Sequence, residues 1–250
     1  MNKQEYLHRI NYHGPVEATA EVLFDLHKNH LFCVPFENLD IHFKRRFDLD
    51  LRNVYHKVVT KRRGGFCYEV NLLFNWLLNE LGFPSRIIAS RVYKDDGSLG
   101  PELDHMAIYL KTDKEFLLDV GFGDLFLIPL EIRDGVQLDG RNYFQIEKSD
   151  DDGYILFMSN DGQTFTRKYS FSLGEVNASD FDASCLDKQV NPDSRFVKNV
   201  MCSIPTETGR ITIFNSKFIE KNGQMKNEKI IASDEELLSC LSEKFSMSLE

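Results

Sequence analysis

The apolar positions of this chain change their period twice. From residue 1 to about 84 they recur at helical spacing, most clearly at Val70, Leu73, Phe74, Leu77, Leu78 and Leu81, and Gly82 and Pro84 stop that run. An earlier helix is predicted from Val16 to His30 on the stripe Val22, Leu23, Leu26 and His30, with Pro15 at its mouth, where a missing N–H is harmless. Between them Leu31 to Asp40 is apolar but broken by Pro35. It reads as a loop held against the core and carrying Glu37-Asn38, or as a plain interhelical connection.

After Pro84 the period shortens. Strands are predicted at Ser85 to Val92, His105 to Leu110, Glu115 to Val120, Tyr143 to Glu147, Tyr154 to Ser159 and Gln163 to Ser170. Turns such as Asp151-Asp152-Gly153 and Asn160-Asp161-Gly162 separate them, which points to a small antiparallel barrel or sandwich. From about Asn191 the pattern is mixed. Short strands at Arg210 to Asn215, Lys217 to Lys221 and Lys229 to Ala232 precede a capping box, Ser233-Asp234-Glu235-Glu236, which opens a helix on Leu237, Leu238, Leu241 and Phe245. Helices first, strands second and a mixed tail third predict an α+β chain in three parts, residues 1–84, 85–190 and 191–250.

Charge and cysteine usage narrow the function by exclusion. A net charge of -9 argues against a nucleic-acid or anionic-membrane partner, which would need a basic face. Cysteines at 33, 67, 185, 202 and 240 are odd in number and contain no C-x-x-C pair, so neither a zinc site nor a disulfide framework is expected. That pattern suits a reducing cytoplasm. The opening MNKQEYLHRI lacks a signal-peptide core, and no apolar run approaches the roughly 18 residues of a membrane span.

One of these cysteines has a chemical setting. Cys67 lies where the loop Arg62-Arg63-Gly64-Gly65-Phe66 runs into the predicted helix. Free N–H groups and the dipole at a first helical turn favour thiolate over thiol, so Cys67 is a candidate nucleophile with a lowered pKa. The bland alternative is a buried structural cysteine. A thiol nucleophile needs a base and a group that orients the base. His105 and Asp119 are predicted on one hairpin, and a three-residue loop Lys111-Thr112-Asp113 would set them directly opposite each other on one face. Asp119 interrupts an apolar run and so needs a partner. The other six histidines, at 8, 13, 27, 30, 42 and 56, read as surface or packing groups. Val120-Gly121-Phe122-Gly123 follows, where glycines permit close backbone approach and Phe122 supplies an apolar wall. Backbone N–H groups at the helix start, that of Tyr68 among them, are the natural oxyanion donors.

With these residues in hand the sequence resembles the arylamine N-acetyltransferase family in its bacterial form. The resemblance rests on Tyr6-Leu7-His8-Arg9-Ile10, Leu26-His27, His30, Pro35-Phe36-Glu37-Asn38-Leu39-Asp40, Arg63 to Asn71, Asp119 to Gly123, Pro192-Asp193-Ser194-Arg195-Phe196 and Gly209-Arg210. It implies a helical bundle carrying the cysteine, a β-barrel carrying the histidine and aspartate, and an α/β lid around a cysteine-protease-like core. It further implies a Cys67-His105-Asp119 triad, ping-pong transfer of acetyl from acetyl-CoA to an arylamine, arylhydrazine or arylhydroxylamine without a metal, and an acceptor pocket lined by Phe36 and Phe122. Ser184 to Gln189 replaces a more polar Ser/Thr run of the family. Arg195, Lys198, Arg210 and Lys217 are candidates for the CoA phosphates on an otherwise acidic chain. A thiol hydrolase or amide synthase with the same Cys, His, Asp order is the competing enzyme reading, and a catalytically idle binding module is the non-enzymatic one.

Overall fold

The computed structural model describes residues 1–149 and 151–249. Its first part is helical: α1 (Lys3–Arg9), α2 (Ala20–Cys33), α3 (Leu39–His42), α4 (Leu51–Tyr55), which continues into a π-helical turn at His56–Thr60, and α5 (Cys67–Glu80). Tyr6, Leu23, Leu26, Phe74 and Leu77 from these helices are buried together. The predicted stripe of α5 is buried as expected, and Gly82 leaves the helix at a φ of +87°. Helix α2 starts later than predicted, because the Thr19 hydroxyl caps the Val22 N–H at 3.3 Å. Pro15 stays in the preceding loop, its carbonyl accepting from the Tyr12 hydroxyl.

The loop expected around Pro35 contains a short strand, β1 (Phe36–Glu37). The barrel strands are β2 (Ser85–Val92), β3 (His105–Lys111), β4 (Glu115–Leu118), β5 (Leu130–Glu131), β6 (Gln137–Leu138), β7 (Tyr143–Lys148), β8 (Tyr154–Ser159) and β9 (Thr166–Phe171). They form one antiparallel sheet in the order β5-β4-β3-β2-β9-β8-β7-β6. The two end strands meet through a side chain. The Gln137 carboxamide accepts from the Glu131 N–H at 2.9 Å and donates to the Glu131 carbonyl at 2.8 Å, imitating a ladder pair and nearly closing the barrel.

The β3–β4 register differs from the expectation by two residues. Leu110 pairs with Phe116 and Lys111 with Glu115, so the three-residue loop is Thr112 to Lys114 and not Lys111 to Asp113. The Thr112 N–H closes that turn on the Lys114 carbonyl at 2.8 Å. A shift of two preserves the face, so His105 and Asp119 become diagonal neighbours instead of direct partners.

After the barrel come α6 (Asp182–Val190) and α7 (Arg195–Lys198), then β10 (Met201–Thr206), β11 (Gly209–Phe214), β12 (Lys217–Asn222), β13 (Met225–Ile230) and α8 (Asp234–Phe245). These strands form a second sheet in the order β1-β10-β11-β12-β13, so a strand from the helical part pairs with the tail. Helix α6 and strand β10 are among the elements that the sequence reading missed. In α6 only Cys185 is buried, which leaves no stripe, and β10 contains Pro205, which reads as a breaker. The last strand ends at Ile230 and does not span Lys229 to Ala232. The Ser233 cap of α8 forms as predicted, its hydroxyl accepting from the Glu236 N–H at 3.2 Å.

Candidate active site

Cys67 is the first residue of α5 and is buried. The loop before it is pinned at every residue. The Gly64 N–H points at the Met247 sulfur at 3.1 Å, the Gly65 N–H donates to the Pro35 carbonyl at 3.1 Å, and the Gly65 carbonyl accepts from the Glu37 N–H at 3.0 Å. Glu69 reaches back to take the Phe66 N–H at 2.8 Å. Its carboxylate is gripped in turn by Lys57 at 2.8 and 3.0 Å. Lys57 also meets Asp40 at 2.8 Å, while Arg63 bonds Glu37 at 2.6 Å and Asp40 at 3.1 Å. A half-buried lysine, a buried arginine and three carboxylates thus brace the segment that presents the sulfur. Phe66 has no capping oxygen, so the N–H groups of Cys67, Tyr68 and Glu69 face outward from the helix start without an intrahelical acceptor.

His105 opens β3, and Asp119 follows the end of β4. Both are buried, and the His105 Nε2 lies 2.7 Å from the Asp119 Oδ2. The other carboxylate oxygen accepts from the Asn71 side chain and from the Gly121 N–H, each at 2.9 Å. Burial opposes ionisation of Asp119, but the His105 charge and these three donors outweigh it and hold the carboxyl below its ordinary range. Phe122 meets the His105 ring edge to face with centroids 5.4 Å apart, and the Tyr169 ring lies 5.5 Å away on another side.

Asn71, one helical turn beyond Cys67, joins the two halves. Its amide donates to the Met106 carbonyl at 2.7 Å as well as to Asp119, and its carbonyl accepts from the Val120 N–H at 2.9 Å. The Val120-Gly121 turn thereby lies directly on the start of α5, where a Cβ on Gly121 would come 2.8 Å from the Cys67 Cα. Sequence reasoning gave Asn71 no role, though its i+4 spacing from Cys67 marks it as facing the same way.

Two expectations change here. The helix start does not by itself make Cys67 acidic. Burial pushes the thiol well up, the Lys188 charge pulling the other way and Asp119 and Asp104 adding to the rise. His27 is neither a surface group nor only packing. It is buried beneath the site, its Nε2 accepting from the Asp119 N–H at 3.3 Å while its Nδ1 meets the Leu127 carbonyl at 3.2 Å. Burial lowers it to about 4, so the ring is neutral and carries its proton on Nδ1.

Phe36 and Phe122 flank the glycine turn. A Cβ on Gly123 would touch the Phe36 ring at 3.7 Å, and Phe36 packs on Phe66 with centroids 5.7 Å apart. The four basic candidates are not gathered. Lys198 pairs with Asp193, Arg210 with Asp124 and Lys217 with Glu228, and Arg195 stacks over Phe196. Arg210 and Lys217 also lie toward opposite ends of the β11–β12 ladder.

Known proteins resemble this one over its whole length. A family model described as N-acetyltransferase matches residues 19–250. The pineal gland isozyme NAT-3 arylamine N-acetyltransferase of Gallus gallus is 32% identical, covering 100% of this chain and 95% of its own. The arylamine N-acetyltransferase of Escherichia coli (strain K12) is 30% identical over 98% of this chain and 88% of its own. The solved arylamine N-acetyltransferase of Salmonella typhimurium superposes with a TM-score of 0.93 at 25% identity, covering 99% of this chain and 92% of that one. The Mycobacterium marinum enzyme in complex with CoA superposes at 0.89 and 26% identity, over 98% of this chain and 93% of that one.

Proposed function

This chain belongs to the arylamine N-acetyltransferase family, and from that premise we propose that Cys67, His105 and Asp119 carry acetyl from acetyl-CoA to an arylamine, arylhydrazine or arylhydroxylamine in two half-reactions. The observation that carries the assignment is the buried His105–Asp119 pair joined through Asn71 and Gly121 to the helix start at Cys67.

The hydrogen bond to Asp119 occupies Nε2 of His105. With the carboxylate ionised, that nitrogen keeps the proton, and Nδ1 is the basic lone pair available to the sulfur. Because burial holds Cys67 as a thiol, its proton leaves only as far as His105, where Asp119 balances the imidazolium. The thiolate attacks the thioester carbonyl, and N–H groups of the first turn, that of Tyr68 included, face the oxyanion. Collapse breaks the bond to the CoA sulfur, which takes the proton from His105 and leaves acetyl-Cys67. The acceptor nitrogen then attacks the acetyl carbonyl, His105 takes its proton, the bond from that carbonyl to the Cys67 sulfur breaks to leave the acetyl group on the amine, and His105 returns the proton to the sulfur. Exchange of one thioester for another is nearly isoenergetic, so the first half-reaction asks for no external energy.

Phe36 and Phe122 serve as apolar walls for the acceptor ring. By this reading residues 1–84 present the nucleophile, 85–190 the base and its orienting acid, and 191–250 the cover. A cytoplasmic setting agrees with the five cysteines, all of them free thiols. Incubation with acetyl-CoA alone tests the assignment. One acetyl mass should appear on Cys67, be lost on adding an arylamine, and be absent from Cys67→Ala. Labelling of another cysteine, or hydrolysis without transfer to the amine, overturns it.

A further inference from the structure

Two side chains of α5 bracket His105 by its backbone. Asn71 holds the carbonyl of Met106, the residue after it, and the Tyr68 hydroxyl holds the carbonyls of Leu103 and Asp104, the two residues before it, at 2.9 and 2.8 Å. Tyr68 is buried and immediately follows Cys67, so its ring spans from the nucleophile's helix to the mouth of the histidine's strand. For both carbonyls to converge on one hydroxyl the chain must turn sharply, and Leu103 does so at a φ of +58°, a region that side-chain-bearing residues avoid.

The Asp104 side chain is held as firmly as its backbone. Its carboxylate pairs with Lys188 from α6 and accepts from the Val92 N–H at 3.3 Å, and a side chain at Gly100 would collide with it. Little of either partner in the Asp104–Lys188 pair reaches solvent, at 12% and 16% exposure. The residue before His105 is therefore clamped from the helix, from a neighbouring strand and from α6.

We propose that Tyr68, through its hydroxyl, and Asp104, through its carboxylate, are positioning residues that set the separation between the Cys67 sulfur and the His105 imidazole. The inference rests on the reading of Cys67 as the acetylated nucleophile. Removing either tie leaves the reacting groups chemically intact but loosens their alignment.

The test compares wild type with Tyr68→Phe in three measurements: melting temperature, the rate of Cys67 acetylation at saturating acetyl-CoA together with its KM, and the pH profile of Cys67 alkylation by iodoacetamide. An angstrom-scale misplacement of a catalytic group costs up to about a hundredfold in rate. The folded variant should therefore acetylate and alkylate at least about tenfold more slowly, with an unchanged donor KM and an alkylation profile moved to higher pH. Wild-type rates and profile in Tyr68→Phe overturn the proposal. Asp104→Asn decides the matter independently, including where Tyr68→Phe does not fold. Loss of a nearby negative charge alone makes Cys67 easier to ionise and speeds alkylation, whereas loss of the clamp slows it. Slower reaction is expected, and an equal or faster one overturns the role of Asp104. If acetyl-CoA fails to label Cys67 in wild type, the underlying reading falls; if it labels wild type and both variants alike, only the positioning role falls.

Discussion

Gly121 lies so close to Cys67 that an added Cβ would come 2.7 Å from the Cys67 carbonyl oxygen and 2.8 Å from its Cα. Both obstacles are backbone atoms of the helix start and cannot swing aside. The same residue gives its N–H to Asp119 at 2.9 Å, so one glycine fixes how near the carboxylate's turn comes to the start of α5. Gly121→Ala should cost about 1–3 kcal/mol as an overpacked core position does. It should also slow acetylation of Cys67 by more than this destabilisation explains, because the added methyl pushes the two halves of the site apart. Thermal melts and donor-only acetylation of the variant check both expectations.

Gln137 closes the barrel with two hydrogen bonds to the backbone of Glu131. Gln137→Leu keeps the approximate size and removes both. At about 1 kcal/mol net per bond, the variant should lose about 1–3 kcal/mol. Amide hydrogen exchange at Glu131 should accelerate while that of β3 is unaffected, and uniform acceleration across the sheet would contradict a local closure.

The difference between what the chain announces and what it conceals follows from the range of each interaction. The stripe of α5 and the Ser233 cap of α8 are local, and residues a few positions apart suffice to reveal them. Neither β3 nor β4 alternates, so whether His105 and Asp119 share a face hung on the length of the turn, and the Thr112 turn set a register two residues from the expected one, which keeps them on one face. Contacts across the fold leave no local signature. Lys57 meets carboxylates from two other segments, Gln137 substitutes for a strand edge, and the Tyr68 hydroxyl reaches residues 35 and 36 positions on. Cys67, His105 and Asp119 stand out in the sequence as candidates because their chemistry is distinctive. Asn71 and His27 do not, since an amide and a packed imidazole look ordinary until the chain brings them to Asp119.

Lys57 is half-buried and meets Asp40 and the buried Glu69, each at 2.8 Å. Its removal leaves Glu69 without its cation, and Glu69 is the acceptor for the Phe66 N–H at the start of α5. Lys57→Met should destabilise the protein by about 3–5 kcal/mol, the range for stripping one partner from a buried ion pair. Denaturant unfolding measures this, and a near-neutral effect would show that the cluster's carboxylates take up protons without cost.

Asp119 supplies a pH signature. Its folded pKa is below the unfolded value of about 3.9, so its contribution to stability is complete above that value and disappears as the pH falls through the folded one. Asp119→Asn should therefore shallow the acid limb of stability below about pH 4 relative to wild type. Acetyl transfer should fall about 10²–10⁴-fold at neutral pH, since a neutral amide cannot balance an imidazolium. Retained transfer would mean that His105 needs no anionic partner.

On the proposed mechanism His105 decides whether Cys67 can react. Burial raises the thiol, and the Lys188 charge, acting the other way, does not bring it back to the ordinary range. Sulfur deprotonated in that setting would be a buried anion unless the proton stopped on an adjacent base, so its reactivity should belong to the pair and not to the cysteine. In His105→Ala the thiol should behave as burial dictates, with alkylation by iodoacetamide slowed about 10²–10⁴-fold at pH 7 and recovering only as the pH rises above the ordinary cysteine range. The wild-type chain should alkylate readily at pH 7. Equal alkylation rates in the two proteins across pH 6 to 9 would locate the activation of Cys67 in the helix start instead of in the imidazole.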